Sequence, residues 1–263
     1  MCPFSRRLIN GRGGWLASAH ICCHCLLIEG RNSLILVDTG LGTGDVAQPA
    51  RLGLGFQWAM RPTLMMKETA LHQIRALGFD PKDVLHIVPT HLDLDHAGGL
   101  GDFPQAQVHV FEPEYEAAMS RSTFHERSRY LPVQWAHGAK WARHEVQGDS
   151  WMGFEAMHAL PSTDDEVLLV PLTGHTRGHC GVAVRGQTGW MLHCGDAYFF
   201  HGEMETTPHC PPGLLAFQRI VQMDGRARMA NQQRLRVFKQ AHGHEVQVFC
   251  AHDPVELAAF PTP

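Results

Sequence analysis

The sequence predicts an α/β fold, because short apolar runs that end in polar clusters alternate with segments of helical period along the chain. Its 263 residues, 44% of them hydrophobic, are enough to bury a sizeable core. No internal repeat, low-complexity tract or Pro/Ser linker divides them, so residues 1–263 are read as a single domain.

The elements follow in order. Ile21–Glu29 and Ser33–Asp38 are apolar runs separated by Gly30-Arg31-Asn32, as in a hairpin, and the second ends in the turn Asp38-Thr39-Gly40. The segment Gly42–Met66 fits neither the helical nor the strand period. It carries Leu52, Leu54, Phe56, Trp58, Met60, Leu64, Met65 and Met66, a composition that suits a lid or pocket wall, and equally core or a homodimer surface. Lys67–Leu77 places Ala70, Leu71, Ile74 and Leu77 on one helical face, with Gly78 to close it. Val84–Pro89 is a buried-strand pattern leading to Thr90-His91. Gln107–Phe111 reads as a strand and Pro113–Met119 as a helix with glutamate at its start. Val167–Leu172, Gly181–Val184 and Trp190–His193 read as strands, Gly225–His242 as a helix, and Val246–Ala251 as a last strand that ends at His252.

The formal net charge of −4 offers no basic surface for a nucleic-acid backbone or an anionic membrane, so a small-molecule substrate is expected. Met1–Gly30 lacks the pattern of a secretory leader and no apolar run is long enough to cross a bilayer, which together suggest a cytoplasmic protein. The eight cysteines are spread through apolar segments, unlike a disulfide scaffold. Cys22-Cys23-His24-Cys25 lacks a second pair of ligands and runs straight into Leu26-Leu27-Ile28, so it is read as buried strand rather than a zinc knuckle.

Nineteen histidines stand out, and their clustering carries more than their number; His72, His86, His137 and His158 have no partner at ligand spacing. His91-Leu92-Asp93-Leu94-Asp95-His96 sets four potential metal ligands in six residues, after a strand and before Ala97-Gly98-Gly99. The alternation with Leu92 and Leu94 implies that the polar side chains share a direction, and imidazole with carboxylate suits zinc, iron or manganese. Three more polar clusters follow strands: Gly174-His175-Thr176-Arg177-Gly178-His179, Gly195-Asp196, and His252-Asp253.

In that order these motifs resemble the metallo-β-lactamase superfamily, and within it the lactonase and glyoxalase II-type hydrolases. Asp38-Thr39-Gly40 is similar to the early DTG turn, Thr90–Gly99 to the HxHxDH signature, Gly174–His179 to the GHTxGH segment, Gly195-Asp196 to the GD bridge, and His252 to the last ligand. The resemblance implies an αββα sandwich of two mixed sheets flanked by helices. It also implies two divalent metal ions, zinc first and iron or manganese as alternatives. His91, Asp93 and His175 would hold one ion, Asp95, His96 and His252 the other, with Asp196 bridging and His179 outside the ligand set.

Asp93 departs from the pattern, since most members have histidine there. Three carboxylates and a hydroxide would then balance two divalent ions, one unit more negative than the histidine version, which favours harder metals and a less acidic bound water. The implied reaction is attack of a metal-bound hydroxide on a lactone, ester or thioester. Asp95 or Asp196 would move the proton, and Tyr198 would donate to the oxyanion if it is not a core tyrosine. The alternatives are an iron enzyme that consumes O₂ and a ligand-binding protein without turnover.

Overall fold

Successive side chains on the apolar strands face opposite layers, and this sets the architecture seen in a computed structural model of the chain, which describes residues 1–160, 166–187 and 189–260. The first sheet has the order β1 (Leu26–Glu29), β2 (Leu34–Val37), β3 (Val84–Val88), β4 (Gln107–Phe111) and β5 (Lys140–His144). β1 and β2 are antiparallel; β2 to β5 are parallel. A short hairpin, β6 (Ser150–Trp151) and β7 (Phe154–Glu155), leads into β8 (Met157–His158), β9 (Val167–Pro171), β10 (Cys180–Arg185), β11 (Trp190–His193) and β12 (Val246–Phe249). The second sheet has the order β12-β11-β10-β9-β8, with only β11 and β12 parallel.

Ile35, Val37 and Val88 of the first sheet pack against Val167, Leu169, Val182 and Phe249 of the second, forming the core between them. Leu34, Leu36, Val108 and Val110 point the other way, onto Ile74 and Ala117 of the helices Ala70–Ala76 and Glu112–Ser120. On the far side Leu168, Val170, Leu192 and Val248 meet Leu235 and Phe238 of the helix Gly225–His242. Helices, two mixed sheets and helices again make the αββα sandwich that the resemblance implies.

The topology also places the site. β9, β11 and β12 run in one direction and β2 and β3 share another, so the segments after their C-terminal ends (Asp38, Thr90, His175, Asp196 and His252) can meet at one edge.

Several expectations change. The strand expected over Ile21–Glu29 begins only at Leu26, because residues before it bond elsewhere: Ile21 N–H donates to the Met1 carbonyl (2.9 Å) and His24 N–H to that of Ala251 (2.9 Å). Gly42–Met66 is not irregular; it holds the helix Thr43–Ala47, the 3₁₀ turn Pro49–Leu52 and the helix Leu54–Met60, each too short to display a period. β5 escapes a search for apolar runs because it is an edge strand of polar composition. His86 has partners after all: it hydrogen-bonds His109 (3.0 Å), which bonds His144 (3.1 Å), across three neighbouring strands. Among the described residues no helix is long and apolar enough to cross a membrane.

Candidate metal centre

Beyond β3 the chain turns sharply, and two buried leucines hold the turn. Leu92 enters the core under the first sheet, Leu94 is also buried, and the short helix Leu94–Ala97 starts just after Asp93. With both leucines turned inward, His91, Asp93, Asp95 and His96 present their polar atoms to the sheet edge. His175 Nε2 lies 3.1 Å from Asp93 Oδ2, and His91 Nε2 lies 3.4 Å from the same oxygen. His252 Nε2 is 3.3 Å from His96 Nε2 and 3.7 Å from Asp95 Oδ2. Asp196 stands between the two groups. Its Oδ2 faces His175 (3.2 Å) and His91 (3.8 Å), whereas its Oδ1 faces His252 (3.1 Å) and His96 (3.2 Å). The structure thus brings together all seven residues expected to bind metal.

The ring orientations are set from outside. His96 Nδ1 pairs with Asp38 Oδ2 at 2.8 Å, and His252 Nδ1 donates to the Cys22 carbonyl at 2.7 Å, so each turns Nε2 inward. Asp38 has φ 54° and also accepts from Thr90 N–H at 2.7 Å. His179 lies outside the cluster: its Nδ1 donates to the Leu172 carbonyl (2.9 Å) and its Nε2 accepts from Asp196 N–H (2.8 Å), leaving no lone pair for a metal. Gly195 has φ 51°, and a Cβ there would stand 2.6 Å from His179 Nε2, so glycine is required for this approach.

The electrostatics are those of a buried anionic centre. For Asp196, burial would raise the pKa, but the imidazoles of His252, His96 and His175 overcome it and hold the carboxyl well below its usual range. His96 and His252 are pushed well above the usual imidazole value, since neighbouring carboxylates, Asp196 foremost, outweigh burial. Burial lowers His175 to about 4. His91 Nε2, Asp93 Oδ1 and Asp196 Oδ1 are buried without a hydrogen-bond partner. Such atoms are costly unless something satisfies them, and nitrogen and carboxylate donors converging in this way fit divalent cations. Among the described residues three donor sets have atoms all within 4.8 Å of one another: His91, Asp93 and His175; His91, His96 and Asp196; and Cys23, Asp95 and His252.

Sequence reasoning missed three supports. Arg129 is buried; its Nε lies 3.4 Å from Asp93 Oδ1, and its Nη atoms donate to the carbonyls of His175 (2.9 Å) and Val221. For Asp93 itself burial is again outweighed, by Arg129 first and His91 next, and the carboxyl sits well below its usual range. This guanidinium returns the unit of positive charge that the step from histidine to aspartate removes, so the expected excess of negative charge is compensated locally. Glu114 is the second. Its carboxylate accepts from Leu92 N–H (2.9 Å), Thr176 Oγ1 (2.6 Å), Gly178 N–H (3.0 Å) and Tyr130 Oη (3.1 Å), tying two ligand-bearing loops together. The third is Phe199, whose ring stacks on His252 at 5.0 Å. The one available signal was Thr123-x-x-Glu126, a capping box that announces the helix Phe124–Arg129 and hence Arg129.

Tyr198 requires a correction. It is fully buried in the core between the second sheet and the helix Gly225–His242, with its hydroxyl on both oxygens of Glu256 (3.0 Å each). A hydroxyl committed in this way is that of a core tyrosine and is turned away from the position of an oxyanion donor.

Comparison with known proteins shows the family and the fold. A family model described as the metallo-beta-lactamase superfamily matches residues 23–247. A probable metallo-hydrolase of Mycobacterium tuberculosis is 41% identical over 232 residues, covering 88% of this chain and 74% of the relative. An N-acyl homoserine lactonase of Agrobacterium fabrum is 31% identical over 210 residues, covering 76% and 69%. Among solved structures, an N-acyl homoserine lactone hydrolase with the product N-hexanoyl-L-homoserine bound at its catalytic metal center superposes with a TM-score of 0.70 at 22% identity, covering 99% of this chain and 93% of that one.

Proposed function

The chain belongs to the metallo-beta-lactamase superfamily, as one of its metallo-hydrolases, and we propose that it opens small lactones, or cleaves related esters and thioesters, at a centre for two divalent ions. The observation that carries this reading is the division of the Asp196 carboxylate. One oxygen faces His91 and His175, the other His96 and His252, as a bridge between two ions requires. His91, Asp93 and His175 would hold the first ion, and Asp95, His96 and His252 the second. When bound, such a pair supplies an acidified water and a Lewis acid for the substrate carbonyl.

The chain's own residues do the rest. Asp38 and the Cys22 carbonyl fix the inward faces of His96 and His252, and Glu114 and Arg129 fix the loops of the first group. Asp95, whose side chain is 12% exposed against 5% for Asp196, is the better placed of the two to take up and return a proton. Cys23, whose sulfur lies within 4.8 Å of donors on Asp95 and His252, also lines a cavity of about 490 Å³ together with Leu41, Val46, Leu64 and Met65. Cys23, Phe56 and Phe217 pack against an apolar cluster of Met1, Ile21 and Met60, and Phe217 also meets Phe199 at 5.8 Å. An acyl chain suits such a wall, which supports lactone, ester and thioester substrates. Part of Gly42–Met66 then serves as the pocket wall. We take residues 1–263 to act as one domain, since the site draws on both sheets.

Protein purified without added metal or chelator should contain close to two divalent ions per chain and hydrolyse members of a lactone, ester and thioester panel. Oxygen consumption with no hydrolysis would favour the iron oxidoreductase alternative. Bound metal with neither activity would favour the binding protein.

A further inference from the structure

Of the Cys22-Cys23-His24-Cys25 run, three side chains are engaged away from the metal centre. The Cys22 thiol donates to the Ala251 carbonyl (3.5 Å) and that of Cys25 to the Cys23 carbonyl (3.8 Å). His24 packs against Phe249 and Phe260, each at 4.8 Å. Cys23 differs. Its sulfur, a carboxylate oxygen of Asp95 and a ring nitrogen of His252 all lie within 4.8 Å of one another. This placement is built by the backbone: residues 22–24 run beside 251–252, with His24 N–H on the Ala251 carbonyl (2.9 Å) and His252 Nδ1 on the Cys22 carbonyl (2.7 Å). Asp196, also on this centre and 3% exposed, keeps its Oδ1 without a hydrogen-bond partner, 3.1 Å from His252 Nε2.

We propose that Cys23 is a thiolate ligand of the ion held by Asp95, His96 and His252. The proposal rests on the two-ion reading above and deepens it. On binding, the sulfur–metal bond replaces the S–H bond and the proton leaves to solvent. The two halves of the centre then differ in kind. His91, Asp93 and His175 form a nitrogen and oxygen site with a buried guanidinium behind it, whereas the second half adds sulfur and selects softer ions such as zinc, cobalt(II) or cadmium. Iron or manganese, if bound, belongs in the first half.

The test is to load metal-depleted, reduced protein with cobalt(II) and, separately, cadmium, counting bound ions by mass spectrometry and recording spectra. Wild type should bind two ions and show a sulfur-to-cobalt charge-transfer band. Cys23→Ser should still bind two ions but lose the band, with cadmium affinity at the second site reduced roughly 10-fold or more, at least the effect of removing a supporting partner of a ligand. Cys22→Ser and Cys25→Ser should keep the band. Two bound ions with no band in wild type, or a band that survives in Cys23→Ser, would overturn the thiolate assignment and leave the two-ion reading intact; Cys23 would then be pocket wall only. Failure of wild type to bind two ions would overturn both. The cadmium-113 resonances of wild type decide the point even if the variant does not fold, since one should carry the shift of a sulfur ligand and both lacking it would refute the assignment.

Discussion

The two halves of the centre are braced from different layers of the molecule. Around His91, Asp93 and His175 the supports are side chains from the helical layer outside the first sheet, Glu114 and Arg129, and they act through charge. Around Asp95, His96 and His252 the supports come from the strand layer: Asp38 at the end of β2 and the carbonyl of Cys22 ahead of β1. The difference teaches that the departure at Asp93 is not an isolated change. A carboxylate there is accompanied by its own buried cation, so the first half is an ion-paired unit that substitutions should disturb as a unit, while the second half leans on the Asp38 carboxylate and one backbone carbonyl.

The largest effect is expected where the halves join. Asp196→Ala should lower kcat by at least about 100-fold, the upper range for removing a metal site's supporting partner and a floor for its bridge. Bound metal should fall below two ions per chain, as mass spectrometry would show, while circular dichroism stays native. Unchanged turnover and stoichiometry would break the comparison at its centre, because no residue would then join the halves.

Next comes the ion pair. Arg129→Leu leaves Asp93 buried without its cation and should cost about 3 kcal/mol of stability by denaturant unfolding. Asp93→His leaves the guanidinium unpaired, at similar cost, but the double variant should be less destabilised than the sum by roughly 1–3 kcal/mol, the range for coupled neighbours. The same cycle sharpens the charge argument. Asp93→His alone makes the centre one unit more positive and should favour zinc and extend activity to lower pH, whereas the double variant restores the net charge and should show a smaller pH shift. Additive stabilities would mean that Arg129 and Asp93 do not act together.

Glu114→Gln tests the first half alone. It sets an amide N–H₂ against groups that donate to Glu114, and should cost about 2 kcal/mol and weaken the first ion roughly tenfold with the second unchanged. Equal weakening of both in isothermal titration would show that the halves are not separately braced. Tyr198→Phe, which touches neither half, should cost only about 1 kcal/mol for one lost buried hydrogen bond with kcat unchanged. A fall in kcat at constant stability would return Tyr198 to the catalytic site.

Much of the fold was legible because its layers impose simple periods. Gln107–Phe111, Trp190–His193 and Gly225–His242 have the bounds read from the sequence. Each is bounded by turn residues; the strands are short apolar runs with consecutive buried positions, and the helix buries one face through Arg228, Asn231, Gln232, Leu235 and Phe238. Lys140–His144 was not legible, since an edge strand can be polar, and Gly42–Met66 was not, since its helices are shorter than the window a period needs.

The sequence by itself determined the chemistry of the centre. His91 to His96, His175, Asp196 and His252 are ligand types at strand ends, and their types and spacing are local properties. Only the tertiary structure decided what surrounds them. Arg129 and Glu114 lie on helices, and Cys23 on a segment that runs beside residue 252, far away in sequence. Whether a guanidinium offsets Asp93, a carboxylate ties two loops, or a thiol faces a metal site depends on through-space distance, and burial sets how strongly each acts. Tyr198 shows the same limit from the other side: two positions from Asp196, its side chain lies in a different layer, because the chain turns after β11 instead of continuing as a strand, in which positions two apart would share a face.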